Sequence, residues 1–382
     1  MRDNGPAEVC TVATRIIHVN SDRDVAPAAE EGAKALRKGK LVGFPTETVY
    51  GVAALATHGE AMERLRELKS RPARPFSVHL GRPKDARRYV RNLPDAAERL
   101  IRRAWPGPVT LLVSTAGQLA DGRLRRRKGL HERLCYRNTI GLRCPDEPVA
   151  AAMLSRIALP VVAPSANLAG GPSPRSAEDV AAELDGRIDL LLDAGPTRHG
   201  ADSTIVRYTA KGWRVVREGV LDAEAVGRMT RRTILFVCTG NTCRSPMAEG
   251  IARKALADRL GCSVRKLEEC GYVVRSAGLF GGGGGAASDA VAAARAFGAD
   301  ISRHRSRPLT NELIRQADLV FCMTGSHVAD VLRMAPDAQE KVRRMDPRRD
   351  VADPIGGGPS AYRRAAKQIA KAFGAALDKG LP

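Results

Sequence analysis

The sequence predicts an α/β protein of two domains, the first with a twisted mixed sheet and the second a three-layer α/β/α domain with a short parallel sheet. Three observations predict this class. Apolar runs of strand length alternate with alanine-rich stretches at helical spacing along most of the 382 residues. Closely spaced strands in the first half favour a mixed sheet. No run of about 18 apolar residues occurs, so no membrane span is expected.

Composition indicates the setting in which the chain works. Eight cysteines are scattered without a regular framework, which favours a reducing cytoplasm over a secreted disulfide scaffold. No Cys/His cluster has zinc spacing, so no protein-held metal is expected. The net charge is +20, and the densest basic segment is Arg123–Lys128. Contact with RNA is one interpretation, although aromatic residues make up only 4% of the chain; phosphorylated substrates are the other.

The first domain is predicted over residues 14–221, with short apolar runs as strands and alanine-rich segments as helices. Strands are expected at Ile16–His18, Leu41–Phe44, Phe76–Leu80, Leu111–Ser114, Ile140–Arg143, Pro160–Ala163, Leu190–Asp193 and Trp213–Arg217. Helices are expected at Asp24–Lys38, Ala61–Lys69, Ala96–Ala104, Val149–Ile157 and Ala177–Leu184.

Polar residues stand near the ends of these strands, where open α/β sheets bind ligands. Lys69 and Arg71 are two cations two residues apart in a proline-bounded loop. Ser165 and Asn167 follow one strand, and Ser203 precedes another. Cations beside hydroxyl donors suit a triphosphate. A Lys-x-Arg pair alone is more often a solvated surface, so the interpretation depends on the whole set.

Together these segments resemble the threonylcarbamoyl-AMP synthase family, also called the YrdC family, over about Thr14–Leu221. The motifs occur in order as Pro45–Gly51, Lys69-x-Arg71, Trp105–Thr110, Gly141–Arg143, Ser165-x-Asn167 and Ser203–Val206. The resemblance implies that L-threonine, bicarbonate and ATP, with Mg²⁺ sharing the phosphate charge, are condensed into threonylcarbamoyl-AMP. A separate transferase complex uses that product to modify adenosine 37 of tRNA.

The resemblance also implies the site residues of this domain. The nucleotide is expected on Lys69, Arg71, Ser165, Asn167, Ser203 and Arg217, and threonine on Thr46, His79 and Arg143. Two departures from the family pattern stand out: Glu147 occupies a position where the family often has histidine, and the insert Ala120–Leu134 is long and basic.

The second domain is predicted over residues 232–380, after a linker at 222–231. A short polar helix is expected at Val220–Met229. It opens on a strand at Ile234–Val237, a tight loop, and a helix for which Ser245 is the expected N-cap. Such a loop aims backbone N–H groups and a helix N-terminus at one point, which suits a phosphate. Later elements are expected at Arg275–Gly278, Ser288–Phe297, Leu319–Met323, His327–Met334 and Pro359–Leu377.

Cys238 lies at the mouth of this loop, where a helix N-terminus and the Arg244 guanidinium favour a thiolate. A thiolate that faces a phosphate is a nucleophile for phosphoryl transfer. The loop residues expected around the phosphate are Thr239, Gly240, Asn241, Thr242, Cys243 and Ser245. Cys238 and Cys243 are also predicted to form a disulfide under peroxide.

The segment Cys238–Pro246 resembles the signature of the low-molecular-weight protein tyrosine phosphatase family, and the resemblance covers about Arg232–Leu377. It implies cofactor-independent hydrolysis through a phosphocysteine, with Cys238 as nucleophile, Arg244 on the phosphate and Asp353 as general acid. Thr242 and the apolar-Gly-Gly sequence after Asp353-Pro354 resemble the protein arginine phosphatases more closely. A phosphoarginine protein is therefore favoured as substrate.

Other interpretations stay open at this point. The second domain could be a tyrosine phosphatase, or an arsenate reductase, which would need resolving cysteines with suitable spacing. The first domain could be a double-stranded RNA-binding module without synthase activity. The glycine run Gly281–Gly285 could be a mobile lid beside the phosphate loop or a surface insertion.

Overall fold

A computed structural model describes residues 13–70, 74–209 and 212–381. The chain forms two compact units, one ending at Thr230 and the other beginning at Arg231. Four clusters of buried apolar side chains form the core, and each cluster is drawn from a single unit. Within the described ranges, no helix has both the length and the apolar character of a membrane span.

The first unit contains one mixed sheet and its covering helices. Its strands are β1 (Arg15–His18), β2 (Val42–Phe44), β3 (Gly51–Leu55), β4 (Val78–His79), β5 (Val109–Ser114), β6 (Cys135–Tyr136), β7 (Thr139–Arg143), β8 (Val161–Val162), β9 (Leu190–Asp193), β10 (Thr204–Thr209) and β11 (Gly212–Arg217). Its helices are α1 (Asp22–Arg37), α2 (Gly59–Leu68), α3 (Asp95–Ala104), α4 (Gly122–Arg125), α5 (Leu130–Leu134), α6 (Pro148–Ser155), α7 (Ala177–Leu184) and α8 (Ala223–Thr230).

The strand order is β1-β9-β2-β3-β8-β4-β7-β5-β10-β11, with β6 paired to β7. Strand β3 shows how both faces are buried: Val52 and Ala54 join one apolar cluster, while Ala53 and Leu55 join another. This alternation follows from the two-residue period of a strand. Parallel and antiparallel pairs occur side by side, for example β1 with β9 and β2 with β3, which confirms the predicted mixed sheet.

One segment of this unit acquires structure that the sequence did not suggest, and a second forms the short helix that was expected at Val220–Met229. The basic insert at 120–134 folds into the short helices α4 and α5. The segment expected as a linker is helical as α8, and its Val226 is fully buried. Arg99 Nε donates to Thr230 O at 2.7 Å and Arg103 Nη1 to Met229 O at 2.8 Å. These guanidinium groups satisfy the last carbonyls of α8, which have no partner within the helix.

The second unit is a four-stranded parallel sheet covered by helices, as the sequence predicts. Its strands are β12 (Arg232–Cys238), β13 (Tyr272–Gly278), β14 (Leu319–Cys322) and β15 (Val342–Arg344), in the order β13-β12-β14-β15. Its helices are α9 (Arg244–Leu260), α10 (Ser288–Arg295), α11 (Asn311–Gln316), α12 (Gly325–Met334) and α13 (Gly358–Asp378). Phe236 packs against Phe321 and Phe373 on one face, while Leu235 and Val237 join the cluster on the other.

The expected N-cap of the first helix in this unit is wrong. Helix α9 begins at Arg244 with Cys243 as its N-cap, so Ser245 lies inside the first turn. Its hydroxyl is instead engaged with Cys238 and Asn241 in the preceding loop. Strand β13 begins at Tyr272, earlier than expected, because that residue pairs with Arg232 at the start of β12.

Candidate active sites

A cavity of about 320 Å³ lies among the strand ends of the first unit. Seven of the nine residues that the sequence predicts for nucleotide and threonine line it: Lys69, His79, Arg143, Ser165, Asn167, Ser203 and Arg217. Thr46 lies behind Arg143, whose Nη2 donates to its hydroxyl. Arg71 falls outside the described residues.

Lys69 is held at one side of this cavity by oxygen atoms. Its Nζ donates to Asn167 O and to Asn167 Oδ1, both at 2.7 Å, and to Ser165 O at 3.2 Å. The Ser165 hydroxyl donates to the same Asn167 Oδ1 at 2.6 Å. Lys69 is only 8% exposed. The short loop after β8 therefore fixes a buried ammonium group at the cavity wall.

Arg217 and Ser203 form another side of the cavity. Arg217 Nη2 donates to Ser203 O at 2.8 Å and to Ser203 Oγ at 3.2 Å. Its Nη1 also pairs with Asp202 at 3.1 Å. The Ser203 hydroxyl lies 3.0 Å from Thr110 Oγ1. Thr110 ends the quoted motif Trp105–Thr110, and Asp202 directly precedes the quoted motif Ser203–Val206. Neither was named in the sequence analysis as a site residue.

Arg143 is the most deeply held cation of the cavity. Its Nη2 donates to Glu47 Oε1 at 3.1 Å and to Thr48 Oγ1 at 2.5 Å. The side chains of Arg143 and Glu47 are 7% and 1% exposed. Arg143 Nε is buried and has no hydrogen-bond partner among the described residues. Because an unpaired buried N–H costs about 1–3 kcal/mol, this group is suited to an oxygen atom of a ligand.

His79 lies beside Arg143 and is buried. Burial and, to a smaller extent, the nearby Arg143 charge lower the pKa of this imidazole to about 3. The ring is therefore neutral at neutral pH. A neutral ring adds no positive charge to the wall and leaves Arg143 as the cation on this side.

The departure at Glu147 has a structural role. Glu147 is the N-cap of α6, and its carboxylate accepts hydrogen bonds from Val149 N at 3.1 Å and Ala150 N at 2.6 Å. Burial raises the pKa of this carboxyl to about 7, against the lowering effect of the two backbone hydrogen bonds. Glu147 caps a helix and is absent from the lining of the cavity.

In the second unit, the loop from Thr239 to Cys243 wraps around the sulfur of Cys238. Asn241 N donates to Cys238 Sγ at 3.3 Å, and Ser245 Oγ lies 3.0 Å from the same sulfur. Cys238 is 3% exposed. A backbone N–H and a hydroxyl therefore lie within hydrogen-bond distance of one sulfur, a geometry that suits a nucleophilic cysteine.

Asn241 shapes this loop from inside. It is fully buried and has φ +54°, in the left-handed region that asparagine tolerates better than most residues. Its Nδ2 donates to Ser245 Oγ and to Ser276 Oγ, both at 2.9 Å, and Ser276 donates to Glu249 Oε2 at 2.7 Å. The sequence analysis did not identify Glu249, because a glutamate in the middle of a helix gives no signal of such a role.

The segment 304–307 supports the loop from outside. His304 Nε2 lies 2.8 Å from Asn241 O, and Arg307 N donates to Asn241 Oδ1 at 2.9 Å. Gly278 allows the loop to pass close to β13, because a Cβ there would lie 2.7 Å from Thr239 O. The loop is therefore a preformed cradle with contacts on several sides.

The glycine run is tied to this same segment. Gly282 N donates to Ser306 Oγ at 3.2 Å and Gly283 N to Ser306 O at 3.0 Å. Ser306 N in turn donates to Gly284 O at 2.8 Å. Three hydrogen bonds to one serine favour the interpretation of a surface insertion over that of a lid.

Arg244 and Asp353 meet at the mouth of the loop. Arg244 Nη2 donates to Asp353 Oδ2 at 2.6 Å and Nη1 to Val351 O at 3.2 Å. The Arg244 side chain is 6% exposed, whereas that of Asp353 is 46% exposed. Arg244 Nε is buried and, in the described part of the chain, has no partner. An anion held by the loop would supply one.

Two further residues contact the loop and were not predicted. Tyr362 Oη lies 3.3 Å from Cys243 Sγ, and this contact together with burial raises the pKa of the phenol to about 12. His327 Nε2 lies 2.9 Å from Thr239 Oγ1. Thr242 is half buried, and its hydroxyl lies 3.7 Å from Cys243 Sγ. Tyr362 and His327 are remote in sequence, so no spacing rule could indicate them.

Comparison with known proteins gives two separate matches. The family model for Sua5, YciO and YrdC, described as "Telomere recombination", matches residues 34–219. The threonylcarbamoyl-AMP synthase of Bacillus subtilis is 39% identical over 181 residues, which cover 47% of this chain and 50% of that protein. A Mycobacterium tuberculosis protein provisionally given the same name is 35% identical, over 51% of this chain and 85% of that protein.

The second match covers the other unit. The model for low-molecular-weight phosphotyrosine protein phosphatases matches residues 233–379. The protein-arginine-phosphatase of B. subtilis is 37% identical, over 36% of this chain and 88% of that protein. The chain spans about half the length of the first curated relatives that it matches. Both resemblances are confirmed: the chain belongs to the Sua5, YciO and YrdC family over residues 34–219 and to the low-molecular-weight phosphotyrosine protein phosphatase family over residues 233–379.

Proposed function

We propose that the second unit hydrolyses phosphorylated proteins through a phosphocysteine, with phosphoarginine as the preferred phosphorylated residue. One observation carries this proposal. Cys238 Sγ accepts a hydrogen bond from Asn241 N and lies 3.0 Å from Ser245 Oγ, inside a loop at which Arg244 presents a buried Nε without a partner in the described residues. A nucleophile and a cation directed at one point are what phosphoryl transfer requires.

The reaction proceeds in two displacements. Substrate phosphate takes the place of the Asp353 carboxylate on Arg244, and Cys238 attacks phosphorus in line with the leaving group. The S–P bond forms as the P–N bond breaks, and protonated Asp353 gives its proton to the leaving nitrogen. Asp353 then accepts a proton from water as the water oxygen attacks phosphorus. The Cys238 thiolate departs, stabilised by Ser245 Oγ at 3.0 Å.

Thr242 supports the arginine assignment. Its hydroxyl is polar and half buried in the loop, so it can orient a guanidinium or a water molecule, which an aliphatic side chain cannot do. The B. subtilis relative named protein-arginine-phosphatase agrees with this choice. Phosphotyrosine is the alternative substrate, because the matching family model is named for it.

The deciding experiment compares phosphoarginine and phosphotyrosine peptides of one sequence as substrates of the full-length chain. We expect a higher kcat/KM for phosphoarginine. Cys238→Ser is the control: it removes the nucleophile and abolishes both activities, yet it should still bind inorganic phosphate because the cradle remains. A higher kcat/KM for phosphotyrosine would replace the arginine assignment.

For the first unit, we propose synthesis of threonylcarbamoyl-AMP from L-threonine, bicarbonate and ATP. The main support for this proposal is the cavity of about 320 Å³, whose lining includes Lys69, Ser203 and Arg143. Its size lies within the range of about 300–1,000 Å³ typical of ligand pockets. We assign Lys69, Ser165, Asn167, Ser203 and Arg217 to the phosphates. Arg143 Nε, held in place through Thr46, is assigned to the threonine carboxylate.

Magnesium fits this cavity as a companion of the nucleotide. Asp202 lines it but is paired with Arg217, and the described residues include no group of three or more His, Cys, Asp or Glu placed around one point. Mg²⁺ usually combines one or two carboxylates with substrate phosphates and waters, so Asp202 and the ATP phosphates would hold it. When bound, it would share the phosphate charge.

Pyrophosphate release that depends on ATP, bicarbonate and threonine tests the synthase proposal. Lys69→Ala should abolish it, since a lost charge-assisted contact costs roughly 2–4 kcal/mol of transition-state stabilisation. Lys84→Ala, at an exposed lysine of the same unit, is the matched control and should leave the rate unchanged. RNA binding by the wild type without any pyrophosphate release would favour the RNA-binding module instead.

We further propose that the product passes to a separate tRNA-modifying transferase complex. The synthase-family match supports this assignment, because threonylcarbamoyl-AMP is an activated acyl donor that needs an acceptor. Contact with RNA and a cytoplasmic location stay predictions.

A further inference from the structure

A second cavity, of about 600 Å³, lies in the phosphatase unit and is distinct from the mouth of the phosphate loop. It is an open cavity bounded by three segments: the first turns of α9, the residues around Val264, and the segment 298–307. Neither Cys238 nor Asp353 lines it. Nothing in the proposed hydrolysis uses it.

The lining is strongly basic. Its cationic side chains are Arg253, Lys254, Arg265, Arg303, Arg305 and Arg307, with His304 beside them, and its acidic side chains are Glu249 and Asp300. Glu249 is engaged by Ser276 Oγ at 2.7 Å. Asp300 accepts Ser302 N at 2.9 Å. The two carboxylates leave a surplus of positive charge in the cavity.

Four of the arginines have no carboxylate partner in the part of the chain that the structure describes. In the described ranges, Arg265, Arg303, Arg305 and Arg307 form no ion pair, and Arg305 Nη1 donates to the backbone oxygen of His304 at 3.1 Å. By contrast, Lys254 is paired with Asp258 at 2.6 Å. Arg265, Arg303 and Arg305 are exposed at this open cavity. Guanidinium groups of like charge around one cavity repel each other, and an anion between them would relieve the repulsion.

We propose that this cavity binds a compact oligophosphate, a small molecule with two or more linked phosphates. Each guanidinium presents a planar pair of N–H donors that matches phosphate oxygens. The volume of about 600 Å³ suits a small ligand rather than a nucleic acid or a protein segment. Val264 and Ile301 add apolar surface, so the oligophosphate can be free pyrophosphate or the phosphate tail of a nucleotide.

The cavity is connected to the phosphate loop by direct contacts. His304 and Arg307 line the cavity, and the same two residues hold Asn241 at 2.8 Å and 2.9 Å. The binding proposal does not depend on phosphatase activity, because it is measured as binding.

The test is calorimetric titration of the full-length chain with pyrophosphate. Lys69→Ala is the background, which weakens any binding in the first unit. Arg265→Ala/Arg303→Ala removes two charges from the cavity and should weaken one class of sites at least tenfold. Arg315→Ala/Arg333→Ala removes two exposed charges on α11 and α12, outside the cavity, and should leave every site unchanged.

Equal loss in both double variants would show general electrostatic attraction and would overturn the proposal. Unchanged pyrophosphate binding in Arg265→Ala/Arg303→Ala would overturn the proposal as well. It would also be overturned if this variant lost binding to an acidic peptide but kept its binding to pyrophosphate. Tripolyphosphate and ATP then separate the two sources. If tripolyphosphate and ATP bind to the cavity with similar affinity, the linked phosphates alone are recognised. If ATP binds more tightly, the cavity also recognises the nucleoside. Either result supports the site.

Discussion

Arg143 and Arg244 have the same arrangement at the two candidate sites. Each guanidinium is buried and fixed through its Nη atoms, by Glu47 and Thr48 in one case and by Asp353 in the other. Each leaves Nε buried and without a partner in the described residues. A donor that is oriented before the ligand arrives loses little rotamer freedom on binding.

Asp353 is expected to act through the leaving group. Asp353→Asn should lower kcat for a poor leaving group by about 10²–10⁴-fold, the usual contribution of a general acid. An activated aryl phosphate, whose leaving group needs no proton, should be affected much less. The second Asp-Pro sequence supplies the control: Asp346 accepts a hydrogen bond from Gln368 at 2.8 Å, and Asp346→Asn should not change the ratio of the two rates. Equal slowing of both substrates would remove Asp353 from the proton transfer.

Thr242 is expected to set the choice of substrate. Thr242→Ile replaces a hydroxyl with a larger apolar side chain at the pocket wall. We expect the ratio of kcat/KM for phosphoarginine to that for phosphotyrosine to fall by about tenfold, the usual size of a single-group discrimination. Steady-state kinetics on the two peptides measures it. If the ratio does not move, the arginine assignment loses its residue-level basis.

For individual residues, the sequence could predict only those that belong to a motif or that a family resemblance implies. The residues from Cys238 to Ser245 are contiguous, so their spacing alone brings them into one loop. Asp353 was inferred from its Asp-Pro context. Tyr362 and His327 were missed, because a side chain that reaches a site only through tertiary packing leaves no periodic signal.

At the scale of elements, the phosphate loop is expected to form a disulfide under peroxide. Peroxide oxidises the Cys238 thiolate to a sulfenic acid, and the Cys243 thiol then displaces water from it to form a disulfide. We expect reversible inactivation, restored by a thiol reductant, with a Cys238–Cys243 linkage detected by mass spectrometry. In Cys243→Ser the loss should become irreversible. Finding only sulfinic acid on Cys238 in the wild type would contradict the prediction.

The N-cap of helix α6, Glu147, is expected to make the stability of the first unit depend on pH. The folded pKa of Glu147, about 7, lies above the ordinary value of 4.5, so the folded chain holds a proton that the unfolded chain has released. The stabilisation is complete below pH about 4.5 and is lost as pH rises through about 7. From pH 5 to 8 we expect the free energy of unfolding of the first unit to fall by on the order of 1–3 kcal/mol.

Glu147→Gln should flatten this fall, because glutamine does not titrate and its Oε1 can still cap the helix. Glu63→Gln, at an exposed glutamate, should keep the wild-type slope. Denaturant unfolding at several pH values measures both. An identical slope in all three proteins would show that Glu147 does not titrate in this range.

The helices and strands that could be predicted differ physically from those that could not. Strands with apolar alternation and alanine-rich helices were predicted, since burial and propensity act together there. The start of α9 was not, because Ser245 is a good cap by type but its hydroxyl is engaged by Cys238 and Asn241. The helices of the insert at 120–134 were also missed, since basic residues there mask a few buried leucines such as Leu124 and Leu130.

For the whole molecule, separate cores predict separate unfolding. Phe373 is 1% exposed and packs only within the cluster of the second unit. Phe373→Ala should destabilise that unit by roughly 3–5 kcal/mol, the usual cost of such a truncation. Pyrophosphate release should keep its wild-type rate at temperatures where phosphatase activity is lost. Calorimetry should show one transition moved and the other in place. A parallel loss of both activities would mean that the units depend on each other.

The preformed cradle around Cys238 has a consequence for turnover. Asn241 is locked by Ser276, His304 and Arg307 before any ligand binds, so the loop has little ordering left to do. A rigid anion site holds the released inorganic phosphate through the same donors that hold the substrate phosphoryl group. We therefore expect the proposed hydrolysis to be inhibited by its product, inorganic phosphate, so that the ambient phosphate concentration would set the fraction of catalytic loops that are free.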